Sequence, residues 1–380
     1  MLSIGWRNLK RDRMRMLVAV LGVVFAVVLV TVEVGMLLGL VRNASLLIDR
    51  SGAEIWVSTV DVKTFDFATP MAQRKKYMIR SVPGVERVEE YNVSYSVWKL
   101  PSGGNANVQV VAFDPWGALA APLDLVEGSL DDLHNQDAII VDEGERAKLG
   151  HPALGDYVEV MQRRAKVVGF TRGMRSFTTT PYVFTTLGRG EFYGWLTRPS
   201  GDAARQSIYL LVSVAPGHDP EAVRRKIESS VSDVEAHTRE SFGQRTRRYW
   251  LLETGVGLGF LAAAFLGLLV GGVVVSQTLY AMTLERLPEF GVLKAMGASM
   301  HEIARVVLEQ GLVCGVLGLA VGLAVSAGVS ALAESAGAAV LIPPALVLAV
   351  SLLTAALCAG AALMTVARLR KLEPAMVFRT

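Results

Sequence analysis

The sequence predicts a membrane protein, with four transmembrane α-helices and a large α+β periplasmic domain inserted between spans 1 and 2. Two observations carry this prediction. Hydrophobic residues make up 52% of the chain and are concentrated in four nearly charge-free runs, each longer than the roughly 18 residues that cross a bilayer. Between the first and second runs, strand-like and helix-like patterns alternate with turn signals, as they do in a soluble domain.

The four predicted spans are bounded by clusters of basic residues. We place the spans at 16–41, 251–284, 305–333 and 345–367. Lys and Arg are abundant at 1–15, predicted as an amphipathic helix, and in the tail at 368–380, and three occur at 285–305, which includes the predicted turn at 285–304, but none occurs in the loop at 334–344. Because positive residues stay on the cytoplasmic side, both termini and the turn should be cytoplasmic and 42–250 external. The first apolar run is too long for a cleaved signal peptide and should remain as an anchor.

The external domain at 42–250 is predicted from β-branched and aromatic runs. These runs indicate strands at 54–60, 91–100, 108–113, 137–142, 157–161, 165–170 and 207–214. Two basic helical patterns, at 74–86 and 223–235, both end in Val-x-x-Val-Glu and lead toward a strand. They predict two β-α-β units with a β-rich insertion at about 101–190. Chance similarity of two amphipathic helices is the alternative explanation.

The sequence contains no catalytic or metal-ligating constellation. The five histidines lack metal-ligand spacing, and the hydroxyl-rich segment 176–186 lacks a nucleophile elbow. A P-loop requires the dipeptide Gly-Lys, which does not occur in the chain. We therefore expect no catalytic residue, metal or cofactor in this chain. The net charge of +3 comes mainly from the basic flanks and does not indicate nucleic-acid binding.

Two features inside the spans are candidates for a functional role. Small residues four positions apart let membrane helices approach closely, which predicts helix packing or a dimer interface. The glycines with this spacing are Gly267, Gly271, Gly311, Gly315, Gly318 and Gly322. Glu33 lies near the outer end of span 1, where snorkelling to the interface is the ordinary explanation and contact with a substrate is the alternative.

The segment ERLPEFGVLKAMGAS, 285–299, is a charged insert between two apolar runs. Pro288 and Glu289 suit the first turn of a helix, and Gly297 suits the position just after its end. Ser299 and Glu302 have the spacing of a capping box that starts the next helix. The segment is therefore predicted to form a short independent helix in the turn at 285–304.

This segment resembles the permease subunits of MacB/FtsX/LolC-type ABC transporters. The shared pattern is Glu-Arg-x-x-Glu-[Phe/Ile]-Gly-x-Leu-Lys-Ala-Met-Gly-Ala at 285–298, and the order of basic N-terminus, one span, a large external domain and three spans also agrees. Without a P-loop, the chain looks most similar to DevC-like subunits that have no fused ATPase domain. The resemblance implies a helix that couples to an ATPase through Arg286, Leu287, Glu289, Phe290, Gly291, Leu293, Lys294 and Gly297.

The same resemblance implies a transport subunit of the bacterial inner membrane and not an enzyme. It implies a homodimer of permeases in the lipid bilayer, partner ATPase subunits that bind ATP and Mg, and a periplasmic membrane-fusion adaptor with an outer-membrane channel. ATP hydrolysis would then move the periplasmic domain and drive export or extraction of a lipid, glycolipid, peptide or drug-like amphiphile. The alternatives are an FtsX-like regulator that relays ATPase cycles to a periplasmic enzyme without transport, and a four-span sensor or scaffold without an ATPase.

Overall fold

A computed structural model describes most of the chain. The described residues are 13–178, 180–194, 206–285, 299–335 and 338–370. They form two compact units, a membrane unit and an external domain. The membrane unit comprises Met1–Gly39, Gly257–Glu334 and Ala339–Thr380, and the external domain comprises Leu40–Val256 with Ser335–Ala338. Residues 1–12 of the predicted N-terminal helix and 371–380 of the predicted tail lie outside the described residues.

The secondary structure of the described residues is α+β. The helices are α1 (Arg13–Ala44), α2 (Leu46–Asp49), α3 (Lys75–Arg80), α4 (Leu187–Tyr193), α5 (Pro220–Ser230), α6 (Arg239–Arg248), α7 (Val256–Glu285), α8 (Met300–Ser335) and α9 (Pro344–Arg370). The longer strands are β1 (Ile55–Ser58), β3 (Val85–Lys99), β4 (Asn105–Phe113), β5 (Leu125–Gly128), β6 (Ala138–Asp142), β7 (Tyr157–Val160), β8 (Arg163–Thr171), β9 (Tyr182–Thr186), β11 (Tyr209–Val214) and β12 (Glu235–Thr238). Two short strands, β2 (Met71–Ala72) and β10 (Gln206–Ser207), pair with each other.

Four of the helices, α1, α7, α8 and α9, are long and apolar enough to cross a membrane. Together with the mixed sheet between α1 and α7, they confirm the predicted fold class. The helix boundaries differ from the predicted spans by one to five residues, and the two largest differences are at the starts of α7 and α8. Span 2 was placed from 251, but α7 begins at Val256, because Tyr249–Glu253 form a π-helical turn and Gly255 has a left-handed φ of +75°. Helix α8 begins at Met300 and not at 305.

One half of the external domain interleaves two β-α-β units. Strands β12, β1, β11 and β3 are hydrogen-bonded in that order, and every neighbouring pair is antiparallel. The unit β1–α3–β3 therefore has β11 between its two strands, and the unit β11–α5–β12 has β1 between its strands. This is the ferredoxin-like arrangement of split β-α-β units. Ile79 of α3 and Val223 of α5 are buried in the same core cluster, so both helices cover one face of the sheet.

The other half of the external domain closes into a small barrel. Strand β3 is 15 residues long. Its first part, Val85–Tyr91, pairs with β11, and Trp98 and Lys99 near its end pair with β7. The ring then runs β3, β4, β9, β6, β8 and β7, with every neighbouring pair hydrogen-bonded. Trp98 and Ile139 are completely buried in the core of this half. Each strand of the ring therefore has a hydrogen-bonded neighbour on both sides, and β5 pairs with β8 outside the ring.

Candidate functional site

The eight predicted coupling residues lie in 286–298, outside the described residues, but the structure describes both ends of this segment. At its C-terminal end, the backbone N–H of Ser299 donates to Glu302 Oε2 at 2.7 Å, and the backbone N–H of Glu302 donates to Ser299 Oγ at 3.4 Å. This is the capping box that the sequence predicts. It explains why α8 starts immediately after the segment.

At the N-terminal end of the segment, the last residue of α7 forms an ion pair with the first turn of α1. Arg15 contacts both carboxylate oxygens of Glu285, which lies 270 residues away along the chain. Both side chains are partly exposed, at 36% for Arg15 and 58% for Glu285. The point at which the chain leaves α7 is therefore tied to α1.

Four of the six predicted glycines contact α1. They are Gly267 and Gly271 of α7 and Gly318 and Gly322 of α8. A Cβ atom added at Gly271 would lie 2.5 Å from Ala26 Cβ, and one added at Gly318 would lie 2.5 Å from Val23 Cβ, closer than side chains can approach. The small residues therefore allow α7 and α8 to pack directly on α1.

The other two predicted glycines, Gly311 and Gly315 of α8, contact α9 at Cys358. A Cβ added at Gly311 would lie 3.2 Å from the carbonyl oxygen of Cys358, and one added at Gly315 would lie 3.0 Å from its Sγ. Each of the six predicted glycines thus packs against another helix of the same chain.

Glu33 is half-buried in α1 and lies two residues before a contact between α1 and the start of α9. In that contact the carbonyl oxygen of Gly35 accepts a hydrogen bond from the N–H of Leu341 at 2.9 Å. No group of three or more potential metal ligands occurs in the described part of the chain.

A buried polar junction, which no local sequence signal marks, joins the external domain to the segment that leads into α7. Asp66 Oδ2 accepts a hydrogen bond from the indole Nε1 of Trp250 at 3.2 Å, and Asp66 Oδ1 accepts one from Gln109 Nε2 at 3.4 Å. Asp66 is only 7% exposed. Because Gln109 belongs to β4 and Trp250 to the π-helical turn, one carboxyl group connects the sheet with the entrance to span 2.

The electrostatics of this junction favour a neutral carboxyl group. Burial raises the pKa of Asp66, and the hydrogen bonds from Gln109, Trp250 and Thr64 offset this effect only in part. Gln109 Oε1 is buried and has no hydrogen-bond partner among the described residues. Burying these polar groups therefore costs free energy of folding. Such a cost is typical of polar groups that position neighbouring segments and do not add to stability.

Aromatic packing and a second polar contact reinforce the junction. The ring centroid of Phe177 lies 4.1 Å from that of Trp250, and that of Phe67 lies 6.0 Å away. In α6, the helix just before the π-helical turn, Arg247 Nη1 donates to Asp49 Oδ2 at 2.8 Å and to Ser45 Oγ at 2.6 Å. The segment that follows α1 is thus bound to α6, which leads toward α7.

Two family models match the chain. Residues 16–230 match the MacB-like periplasmic core domain, and residues 261–374 match the FtsX-like permease C-terminal domain. The first match covers more than half of the chain, and the two follow each other in the order that the fold requires. The chain belongs to the MacB/FtsX-type ABC transporter permeases. An ATPase partner is implied by this family, and the permease is a membrane protein with an external domain.

Two curated proteins resemble this permease. An uncharacterized ABC transporter permease of Methanocaldococcus jannaschii is 23% identical over 363 residues, which cover 88% of this chain and 86% of that protein. The macrolide export ATP-binding/permease protein MacB of Agrobacterium fabrum is 32% identical over 180 residues, which cover 44% of this chain and only 26% of that protein. The permease thus spans about a quarter of the MacB relative.

Two solved structures are also similar to the permease. The periplasmic region of MacB from Actinobacillus actinomycetemcomitans has 10% identity and a TM-score of 0.37, covering 52% of this chain and 93% of that structure. The extracellular domain of the noncanonic ABC-type transporter YknZ from Gram-positive bacteria has 10% identity and a TM-score of 0.35, covering 49% of this chain and 99% of that structure.

Proposed function

We propose that this permease couples ATP hydrolysis by a separate ATPase subunit to movement of its periplasmic domain, and so drives export or extraction of an amphiphilic substrate. A lipid, glycolipid, peptide or drug-like molecule fits this role. The observation that carries the proposal is that segment 286–298 starts at the ion-paired end of α7 and stops at the capped start of α8. A segment held at both ends is suited to transmit movement from a docked partner into two spans.

In this proposal the segment is the coupling helix. Its apolar side chains fill a groove on the ATPase, its charged side chains supply polar contacts, and its glycines allow close approach and a sharp exit. The apolar group is Leu287, Phe290 and Leu293, the charged group is Arg286, Glu289 and Lys294, and the glycines are Gly291 and Gly297.

The surrounding assembly is part of the proposal. Two permeases form a homodimer with two ATPase subunits, which bind the ATP and Mg. The chain resides in the bacterial inner membrane with its termini in the cytoplasm, and a periplasmic membrane-fusion adaptor and an outer-membrane channel complete the path. The name of the Agrobacterium fabrum relative, a macrolide export protein, supports an export role.

An FtsX-like regulator is the second candidate function. The match of residues 261–374 to the FtsX-like C-terminal model favours it. In this alternative the same movement of the periplasmic domain activates a periplasmic enzyme and no substrate crosses the membrane. A transport assay with the purified permease and its ATPase in vesicles separates the two functions.

The coupling helix is tested by replacing Phe290 with Ala or Glu289 with Ala in the full chain, co-expressed with an ABC ATPase subunit from the same genome. Both variants should insert into the membrane normally but recover less ATPase on purification, because the docking contacts are removed. Phe265→Ala is the matched control, since Phe265 is a 63% exposed phenylalanine in the first half of α7, 20 residues before its C-terminal end. Full ATPase recovery with both coupling variants would refute the assignment.

A further inference from the structure

The two helices of the ferredoxin-like half, α3 and α5, form one outward surface, which we call the helix layer. Interleaving of the two β-α-β units places both helices on the same face of the sheet, where Ile79 and Ile227 share one core. A contact also joins α3 to the turn that follows α5, because Lys75 Nζ donates to the carbonyl oxygens of Ser232 at 3.0 Å and Asp233 at 2.8 Å. The two basic patterns that echo each other in the sequence are therefore neighbours in space.

The helix layer carries a surplus of positive charge. Two of its cations form ion pairs. Lys76 contacts Glu90 at 3.0 Å, and Arg224 contacts Glu221 and Glu228 at 2.6 Å. Four further cations are exposed and form no ion pair with any described residue. They are Arg74, Arg80, Arg225 and Lys226. With Glu90, residues 74–80 and 219–233 contain seven cations and five carboxylates, so the helix layer has a net charge of +2. The exposed carboxylates of Asp219 and Asp233 lie at the two ends of α5, away from a pairing cation.

Two large apolar side chains stand among these cations. Tyr77 is 65% exposed and Met78 is 43% exposed, although both lie on a helix whose opposite side is buried. Tyrosine, methionine and arginine are the residue types enriched at protein–protein interfaces, where lysine and glutamate are depleted in the core. Methionine also adapts to differently shaped partners. The surface thus combines apolar anchors with unpaired positive charge.

We propose that the helix layer docks an acidic segment of a periplasmic protein partner. Tyr77 and Met78 are the apolar anchors, and the four unpaired cations select a partner rich in Asp and Glu through charge complementarity. A second copy of this chain does not fit, because the same surfaces would bring like charges together. The proposal rests on the proposed function for the presence of a periplasmic partner and adds the surface that binds it. Its test needs neither the ATPase nor the segment at 286–298.

The test uses the full chain in nanodiscs of neutral lipid and a fluorescently labelled glutamate-rich peptide that contains leucine and phenylalanine. The same peptide with every Glu replaced by Gln is the probe control. The wild-type chain should bind the Glu peptide and not the Gln peptide. The double variant R74E/K226E, with one reversal in each helix, should bind about tenfold more weakly. Y77S/M78S should also weaken binding while all charges remain.

The matched control variant is R163E/R164E, two exposed arginines on the β7–β8 hairpin close to the 58% exposed Tyr157. It should bind the peptide within about twofold of wild type, since its cations lie outside the helix layer. Equal loss with R163E/R164E, or no loss with Y77S/M78S, would overturn the proposal, because binding would then be general attraction to positive charge. R74E/K226E could instead lose binding to phosphatidylglycerol vesicles and keep binding to the peptide. The helix layer would then bind anionic lipid, and the proposed protein partner would be wrong.

Discussion

The segment that precedes α7 and the C-terminal end of α7 are held by contacts of different physical character. On its N-terminal side, the carboxyl of Asp66 is buried and binds the indole of Trp250 and the amide of Gln109. At its C-terminal end, Glu285 binds Arg15 in an ion pair with both side chains at least one-third exposed. Water screens the second contact and not the first, so the buried junction has the larger effect on stability when broken.

This difference suggests a division of roles along one helix. A buried network has one arrangement in which its groups are satisfied, and it therefore fixes geometry. An exposed ion pair contributes little free energy and can exchange its partner when another protein docks beside it. The buried junction is thus suited to fix the segment that precedes α7 on its own domain, and the ion pair at the C-terminal end of α7 is suited to respond to a partner.

The largest expected effect is from replacing Asp66 with Ala. This change leaves the N–H groups of Trp250 and Gln109 buried without their acceptor, which should lower the free energy of unfolding by about 2–4 kcal/mol. Thermal unfolding of the full chain in detergent measures it. Asp124→Ala is the control, because Asp124 forms an exposed ion pair with Arg50. Equal losses from the two variants would contradict the distinction between buried and exposed contacts.

Replacing Gly271 with Ala tests the middle of α7, between the two ends. The added Cβ would lie 2.5 Å from Ala26 Cβ and 3.0 Å from the carbonyl oxygen of Gly22, so α7 must move away from α1. We expect a loss of about 1–3 kcal/mol. Gly259→Ala on the same helix meets nothing within 4 Å and should be neutral or slightly stabilising. Unfolding temperatures in detergent compare the two, and equal values would show that α1 and α7 tolerate separation.

Replacing Asp66 with Asn separates the charge of the junction from its hydrogen bonds. Because burial raises the pKa of Asp66, its stabilising contribution is complete below the pKa of the unfolded chain and is lost as pH rises through the folded pKa. Asn does not ionise, and its amide can donate to Gln109 Oε1 after a flip of the Gln109 amide. The variant should unfold at a higher temperature than wild type near neutral pH, with a smaller effect than Asp66→Ala.

The pH series is the decisive measurement for the Asn variant. The difference from wild type should shrink as pH falls toward about 4, where unfolded aspartate takes up its proton. A difference that stays constant with pH would mean that Asp66 does not change its protonation when the junction unfolds.

What could be predicted from the sequence is what depends on neighbours along the chain. Hydropathy located the four membrane helices, and spacing located the cap at Ser299 and the cap of α5, where Asp219 precedes Pro220. Strand β3 begins at Val85, six residues before its predicted start, because four of the residues 85–90 (Val-Glu-Arg-Val-Glu-Glu) are charged and hide the strand pattern. Strand β9, Tyr182–Thr186, was not predicted, although its aromatic and β-branched residues favour a strand.

The buried junction could not be predicted in this way, because its members are distant in sequence. Asp66 is 43 residues from Gln109 and 184 residues from Trp250. Only the fold brings them together, through β4 on one side and the π-helical turn on the other. The glycine spacing indicated close packing of helices, but the choice of α1 and α9 as partners also depends on the fold.

The smallest effect on stability is expected at the Arg15–Glu285 pair. Reversing one charge, as in Arg15→Glu or Glu285→Arg, should cost less than about 1 kcal/mol, because solvent screens an exposed pair. If the pair also sets where the coupling segment leaves α7, each single reversal should reduce recovery of the ATPase, and the double reversal should restore it. Arg13→Glu, an exposed arginine one half-turn earlier in α1, is the control. A double reversal that stays as defective as the single variants would show that the pair is not what positions the segment. A stability loss as large as that of Asp66→Ala would contradict the contrast between the two ends of α7.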